Sequence, residues 1–314
     1  MLRLNGFEAL EDFSPSSACI ATIGVFDGVH LGHHAVFQRV FDLAKAKSLT
    51  PTVVTFADHP KSLLRGTAPP TITSLEHRLR LFERLGFELC LVLEFTESIR
   101  NLSAEQFLKD YLIASMGLKE LVLGFDSKFG KGRGGTVESL HPLSEELGIQ
   151  LTEVAPMCLE GRAVSSTAIR EAVQLGELRR ASKMLGRAVS VLGTVIHGDG
   201  RGKELGFPTA NLDLHHELRP PDGVYAVFAQ LDGAFHPAVA NLGHRPTFGK
   251  SGTSIEVHLM DYEGDLYGRN LEIHFLSKIR DEVEFPDTTA FQAQVAKDCE
   301  KAKGLCASAD SIRD

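Results

Sequence analysis

The stretch GVFDGVHLGH (24–33) sets two imidazoles three residues apart among glycines and an aspartate. Gly24, Gly28 and Gly32 let the backbone turn sharply and approach a ligand closely. Where such a loop runs into a helix, unpaired N–H groups and the positive end of the helix dipole face one spot. His30 and His33 add side-chain donors there, and Asp27 stands between the glycines. These groups suit the holding of polyanionic charge, with phosphate the first candidate. A βα turn with surface histidines is the competing reading.

Three more segments of the first half offer phosphate-suited groups. TFADHP (55–60) ends in His59 before a proline. GFDSKFGKGRGGT (124–136) mixes Asp126 with Lys128, Lys131 and Arg133, although a solvated loop has the same composition. VSSTAIR (164–170) places Ser165, Ser166 and Thr167 at a helix start, with Arg170 in the first turns. Hydroxyls there commonly serve as caps. In the second half, GTVIHGDGRGKELGFPTANL (193–212) is the densest signal. Its part from Gly198 through Gly202 to Gly206 can wrap phosphates with backbone N–H groups. Thr209 and Asn211 then share one face of an extended segment. Their oxygens suit Mg²⁺, which takes few protein oxygens beside waters and phosphates. In SIEVHLMDYEGDLYG (254–268) Glu256 and His258 alternate with Ile255, Val257 and Leu259. Glu256 is either a solvent-facing strand residue or a carboxylate aimed into a cleft.

The elements that must position these groups follow from periodicity. CIATIGVF (19–26), TVVTF (52–56), LCLVLEF (89–95) and ELVLGF (120–125) read as buried strands. Between them, Val36, Phe37, Val40, Phe41 and Ala44 recur at helical spacing, as do Leu75, Leu79, Phe82 and Leu85. Ser74 is placed to cap the second of these helices, and Ser103 with Gln106 forms a capping box opening a helix to about Met116. Alternating strands and helices predict a parallel α/β sheet. Its ligand lies beyond the C-terminal strand ends, where the loops after the first and fourth strands open on one edge. After Gly186 short alternating runs separated by Gly, Pro, Asp and Asn predict antiparallel structure, closed as a barrel or a small sandwich. A helix over about 287–302 and a polar tail follow. The domains are expected at 1–186 and 187–302, with the tail at 303–314.

Composition excludes several classes. The 314 residues carry a formal charge of −8, against the basic stripe that nucleic-acid binding needs. No apolar run approaches the ~20 residues of a membrane span. Five cysteines stand singly without metal-ligand spacing, as in a reducing cytoplasm. Neither nucleic acid nor membrane is therefore expected as a partner, and homo-oligomerisation is left open.

GVFDGVHLGH, the TF…HP step, GFDSKFGKGR and SSTAIREAVQLGELRRASKMLGR together resemble the Rossmann-like adenylyltransferase half of the bacterial bifunctional riboflavin kinase/FMN adenylyltransferase (FAD synthetase) family. The resemblance implies that Gly24, Asp27, Gly28, His30, His33 and His59 hold ATP. It implies that Ser165, Ser166, Thr167 and Arg170 complete the triphosphate site and that Asp126 lies near the nucleotide. The FMN phosphate would attack the α-phosphorus of ATP, and pyrophosphate would leave. Two positions depart from the pattern: Asp58 stands where the family has proline, and Ser127 where it has an aromatic.

GTVIHGDGRGKELGFPTANL, PDGVYAV, VANLGHRPTF and IEVHLMDYEGDLYG resemble the family's riboflavin kinase domain, a six-stranded antiparallel barrel. The implied roles are Thr209 and Asn211 at Mg²⁺, Glu256 as general base for the riboflavin 5′-hydroxyl, and Asn241 and Arg280 at the flavin. Gly198, Gly202 and Gly206 would lie against ATP. The expectation is an enzyme acting on riboflavin, FMN and ATP. A kinase-only chain, its first site weakened at Asp58 and Ser127, is the alternative. A flavin storage protein would not need Thr209, Asn211 and Glu256 together.

Overall fold

The structure is a computed structural model that describes residues 1–57, 70–198, 202, 205–247 and 250–309. His59 and Asp58 lie outside the described residues. The chain divides into two compact units, Met1–Thr71 with Leu75–Ser165 and Ile72–Ser74 with Ser166–Asp314.

In the first unit six parallel strands stand in the order β1-β4-β3-β2-β5-β6. They are β1 (Leu2–Asn5), β2 (Cys19–Ile23), β3 (Thr50–Phe56), β4 (Leu89–Leu93), β5 (Leu118–Gly124) and β6 (Gln150–Val154). Four of these are the strands expected from the apolar runs, and β1 and β6 are additional edges. The run at 19–26 stops being strand at Ile23, because Gly24 and the residues after it turn away. Helices α1 (Leu31–Lys47) and α2 (Leu75–Leu85) cover one face, where Ile20, Val53, Cys90 and Val122 meet Phe37, Val40 and Phe82. The other face packs Ala21, Val54, Leu91 and Leu121 on a helical stretch, α3, from Ala104 to Met116 and on α4 (Val137–Leu147). Burial on both faces explains the unbroken apolar runs of the central strands. The capping box of Ser103 and Gln106 is present, and the middle of α3, Phe107–Ile113, has the wider π repeat. A two-stranded hairpin, β7 (Cys158–Leu159) and β8 (Arg162–Ala163), follows β6.

Burial in this sheet pushes the thiols of Cys19 and Cys90 up to about 12 from 9.0. The unfolded chain ionises them first. Their contribution is therefore complete below pH 9 and is lost as pH rises from 9 toward 12. Two such groups remove roughly 3 kcal/mol per pH unit, enough to consume a typical domain's stability within about three units. Denaturant midpoints measured between pH 8 and 11 should fall steeply above 9, with the slope about halved in Cys90→Ala. An unchanged slope in that variant would show that the alkaline transition has another origin.

The second unit is a closed antiparallel barrel in the order β10-β13-β12-β11-β14-β9. Its strands are β9 (Ser190–Ile196), β10 (Ala210–Asp213), β11 (Gly223–Leu231), β12 (Ala234–Thr247), β13 (Lys250–Leu259) and β14 (Asn270–Arg280). Helices α5 (Ser166–Gln174) and α6 (Leu178–Leu185) belong to this unit. The terminal helix α7 (Thr288–Ala307), capped by Asp287, packs Ala302 on Val224, Ala226 and Val239. It buries Cys306, so residues 303–307 are helix rather than tail. Ile72–Ser74 also belong here: Glu217 accepts from the Ser74 N–H at 2.7 Å and from the Leu192 N–H at 2.8 Å.

Candidate active sites

The order of the parallel sheet reverses at β2, which lies between β3 and β5. Ligands of such sheets bind outside that reversal. The loops leaving β2 and β5 are two of those that the sequence singles out. In the first, Phe26, Gly28 and Val29 take φ of +53°, +83° and +42°. Two non-glycine residues in the left-handed region mark a strained turn held by its surroundings. The turn ends in His30, which caps α1. His30 Nδ1 accepts from the His33 N–H at 3.4 Å, and His33 Nδ1 accepts from the His30 N–H at 3.3 Å. The rings stack at 3.6 Å. An Nδ1 that accepts carries no proton, so each neutral imidazole holds its proton on Nε2. The pair thus makes a reciprocal cap and presents Nε2–H donors. A Cβ on Gly32 would sit 3.1 Å from the His30 ring and 3.5 Å from the Val164 carbonyl. The loop therefore packs directly against the segment leading into Ser165. Asp27 is buried.

The loop after β5 is built, not slack. Ser127 N–H closes a turn onto the Gly124 carbonyl at 3.0 Å, leaving Asp126 exposed. Phe129 is buried beside Phe107, and the Lys131 N–H donates to Leu102 at 2.8 Å. Between this loop and the ends of β2 and β3 lies a pocket of about 730 Å³. Phe56, Phe95, Ile99, Leu102, Phe107 and Phe129 form its apolar wall; Arg100, Lys128, Lys131 and Arg133 form a basic rim. Ser166, Thr167 and Arg170 stand on the first turns of α5 and so belong to the second unit.

In the barrel, strand register assembles what the sequence leaves apart. Glu256 on β13 is paired across to Asn211 on β10 and to Asn241 on β12. Ile255 and Val257 point into the core, so Glu256 and its two asparagines form a row on the outer face. His258, two residues on, meets the Pro208 carbonyl at 2.8 Å through Nδ1. A carbonyl only accepts, so this Nδ1 carries the proton. That bond fixes the segment ending in Thr209. The glycine loop lies on the same group: a Cβ on Gly198 would overlap the Asn211 amide, and one on Gly202 would come within 2.9 Å of Thr209 Oγ1. Only glycine permits that approach. Gly206 takes φ +83°. His197 stacks on Tyr267 at 3.9 Å beside the end of β9. Arg280 binds Asp298 through Nε at 2.9 Å and Nη2 at 2.8 Å, tying β14 to α7. Asn241 donates to Glu282 at 3.3 Å. Among the described residues, no group of three or more His, Cys, Asp or Glu side chains could hold a metal.

The FAD synthetase family model matches residues 13–168, and the riboflavin kinase model matches residues 185–306. The bifunctional riboflavin kinase/FMN adenylyltransferase of Haemophilus influenzae is 36% identical over 289 residues, spanning 91% of this chain and 94% of the relative. That of Escherichia coli is 37% identical over 287 residues, spanning 91% and 92%. The chain belongs to the bifunctional riboflavin kinase/FMN adenylyltransferase family. The relative from Bacillus subtilis, 37% identical over 290 residues, covers 90% of the chain and 91% of its own length. A crystal structure of a macrolide-efflux protein from Streptococcus pneumoniae superposes with a TM-score of 0.83 at 31% identity, covering 96% of this chain and 99% of that one. Among the described residues, no helix is long and apolar enough to cross a membrane.

The FAD synthetase half thus contains the histidine loop and the basic-rimmed pocket, and the riboflavin kinase half contains the Glu256 row. The pocket wall at Phe95, Ile99, Leu102 and Phe107 has no motif in the sequence, because helix packing alone assembles it. His258, His197 and Tyr267 fall inside quoted motifs, yet their contacts span the barrel. The pairing of His30 with His33 was open to detection, since three residues is the spacing of a capping box.

Proposed function

We propose that the barrel phosphorylates riboflavin and that the parallel-sheet unit adenylylates the FMN so formed. The row Asn211–Glu256–Asn241 under the glycine loop carries the kinase reading. Thr209 and Asn211 are two neutral oxygen donors beside a glycine cradle, a set that fits Mg²⁺ completed by phosphate oxygens. When bound, the ion neutralises charge on the transferring phosphates. Glu256 takes the proton of the riboflavin 5′-hydroxyl as that oxygen attacks the γ-phosphorus of ATP, and ADP leaves as the bond from the γ-phosphorus to the bridging oxygen breaks. Gly198, Gly202 and Gly206 let backbone N–H groups close on the phosphates, and Asn241 and Arg280 border the flavin.

In the first unit, the Nε2–H donors of His30 and His33 hold the ATP phosphates, with Gly24, Asp27 and Gly28 around them. Ser165 adds to the triphosphate contacts, and Asp126 lies near the nucleotide. The pocket takes the flavin of FMN: its wall suits an apolar ring system, and its volume is that of a small-molecule site. The basic rim faces the FMN phosphate, whose oxygen attacks the α-phosphorus while pyrophosphate leaves. Positioning and charge stabilisation supply the catalysis. All five cysteines are free thiols, which supports a cytoplasmic setting.

The test is a time course with riboflavin, ATP and Mg²⁺, the flavins being resolved by chromatography. FMN should rise and then give way to FAD. FMN accumulating without FAD, even when supplied with fresh ATP, would restrict the chain to the kinase reaction. Attention would then turn to Asp58 and Ser127.

A further inference from the structure

Arg78 sits on α2, away from every motif, and is only 2% exposed. Its guanidinium donates to the Val25 carbonyl, to Thr55 Oγ1 at 3.1 Å, to the Phe56 carbonyl at 3.0 Å and to the Ala57 carbonyl at 3.4 Å. Thr55 Oγ1 in turn donates to Val25 at 3.3 Å. One planar fork therefore joins two loops. Val25 is the last residue before the turn in which Phe26 and Val29 are left-handed. Ala57 is the residue from which the chain continues into Asp58 and His59. Thr55 and Phe56 are the last two residues of β3, and Val25 and Ala57 lie just past the ends of β2 and β3. A strained turn persists only where its surroundings over-determine it. Arg78 supplies that constraint at the point where the histidine loop leaves β2.

We infer that Arg78 is a positioning residue for adenylyl transfer, fixing the histidine loop and the end of β3 against each other. This rests on the reading of the first unit as the adenylyl-transfer site. Arg78 is buried and is not presented to the solvent-facing side of the loop. It acts through the direction in which Asp27, His30 and His33 are presented. Lysine cannot replace it, because a single ammonium does not offer a fork of fixed directions to several carbonyls at once.

The test uses Arg78→Lys and Arg78→Met in the full chain, assayed well below each variant's unfolding temperature. FAD formation from supplied FMN should fall about 100-fold in kcat for Arg78→Met and about 10-fold for Arg78→Lys, the scale of a displaced reacting geometry. KM for FMN should move less than about threefold, and FMN formation by the barrel should stay within about twofold. Amide hydrogen exchange over residues 25–30 should accelerate by about tenfold or more in both variants. A merely structural Arg78 would lower the unfolding temperature and leave kcat per folded molecule at the parental value. That result in Arg78→Lys overturns the inference, and Arg78→Lys decides alone should Arg78→Met fail to fold. A parent chain that makes no FAD overturns the functional reading instead. The exchange rates then still report whether Arg78 holds the loop.

Discussion

Glu256→Gln removes FMN formation by about 10²- to 10⁴-fold and leaves FAD formation from supplied FMN unchanged. The size is that of a lost general base. Glutamine keeps the shape of the side chain and can still bond to flanking amides. Asn211 and Asn241 lie opposite Glu256 in the β-ladder, so the exchange disturbs neither packing nor register. What is lost is the ability to take the 5′-hydroxyl proton. The first unit is built from other parts of the chain and should not register the change. The measurement is the initial rate of FMN appearance at saturating riboflavin and ATP, beside the rate of FAD appearance from FMN. A kinase rate within about tenfold of the parent would remove Glu256 as the base. Loss of both activities in a folded variant would contradict the division of labour.

His30→Ala produces the opposite pattern, with FAD formation falling about 10²- to 10³-fold and FMN formation intact. Two roles of His30 must be separated here. As the cap of α1 its Nδ1 holds the His33 N–H, and loss of a cap alone costs about 1 kcal/mol of stability. In the proposed ligand role its Nε2–H would face charge that develops in transfer. Asparagine is a strong capping residue, and with its Oδ1 on the cap its shorter side chain brings no donor to the Nε2 position. His30→Asn should therefore recover the unfolding temperature and not the rate. Recovery of the rate with the temperature would show that His30 acts only as a cap.

The alternation of strands and helices was legible because the central strands are buried on both faces and read as unbroken apolar runs. β1 was not, since only Leu4 of its four residues is buried, and β6 is a half-exposed edge. The histidine and glycine motifs raised the expectation of a phosphate site by composition. Their geometry did not follow, because it depends on partners far along the chain, Val164 against Gly32 and Thr209 against Gly202. The Glu256 row is a matter of register. An isolated Glu on an alternating strand reads as solvent-facing until two asparagines from other strands are set beside it. Arg280 is a related case. Its bidentate partner Asp298 lies on the terminal helix, and nothing in the spacing of the two predicts the pair.

The recruitment of Ile72–Ser74 into the barrel unit bears on how such a gene can be divided. A reading frame opened after β6 would encode every barrel strand and still omit a part of the folded body. Glu217, buried, would lose the Ser74 donor, and an under-satisfied buried carboxylate costs on the order of 1–3 kcal/mol. A barrel begun after β6 would thus start with a buried defect that other contacts of that product would have to offset.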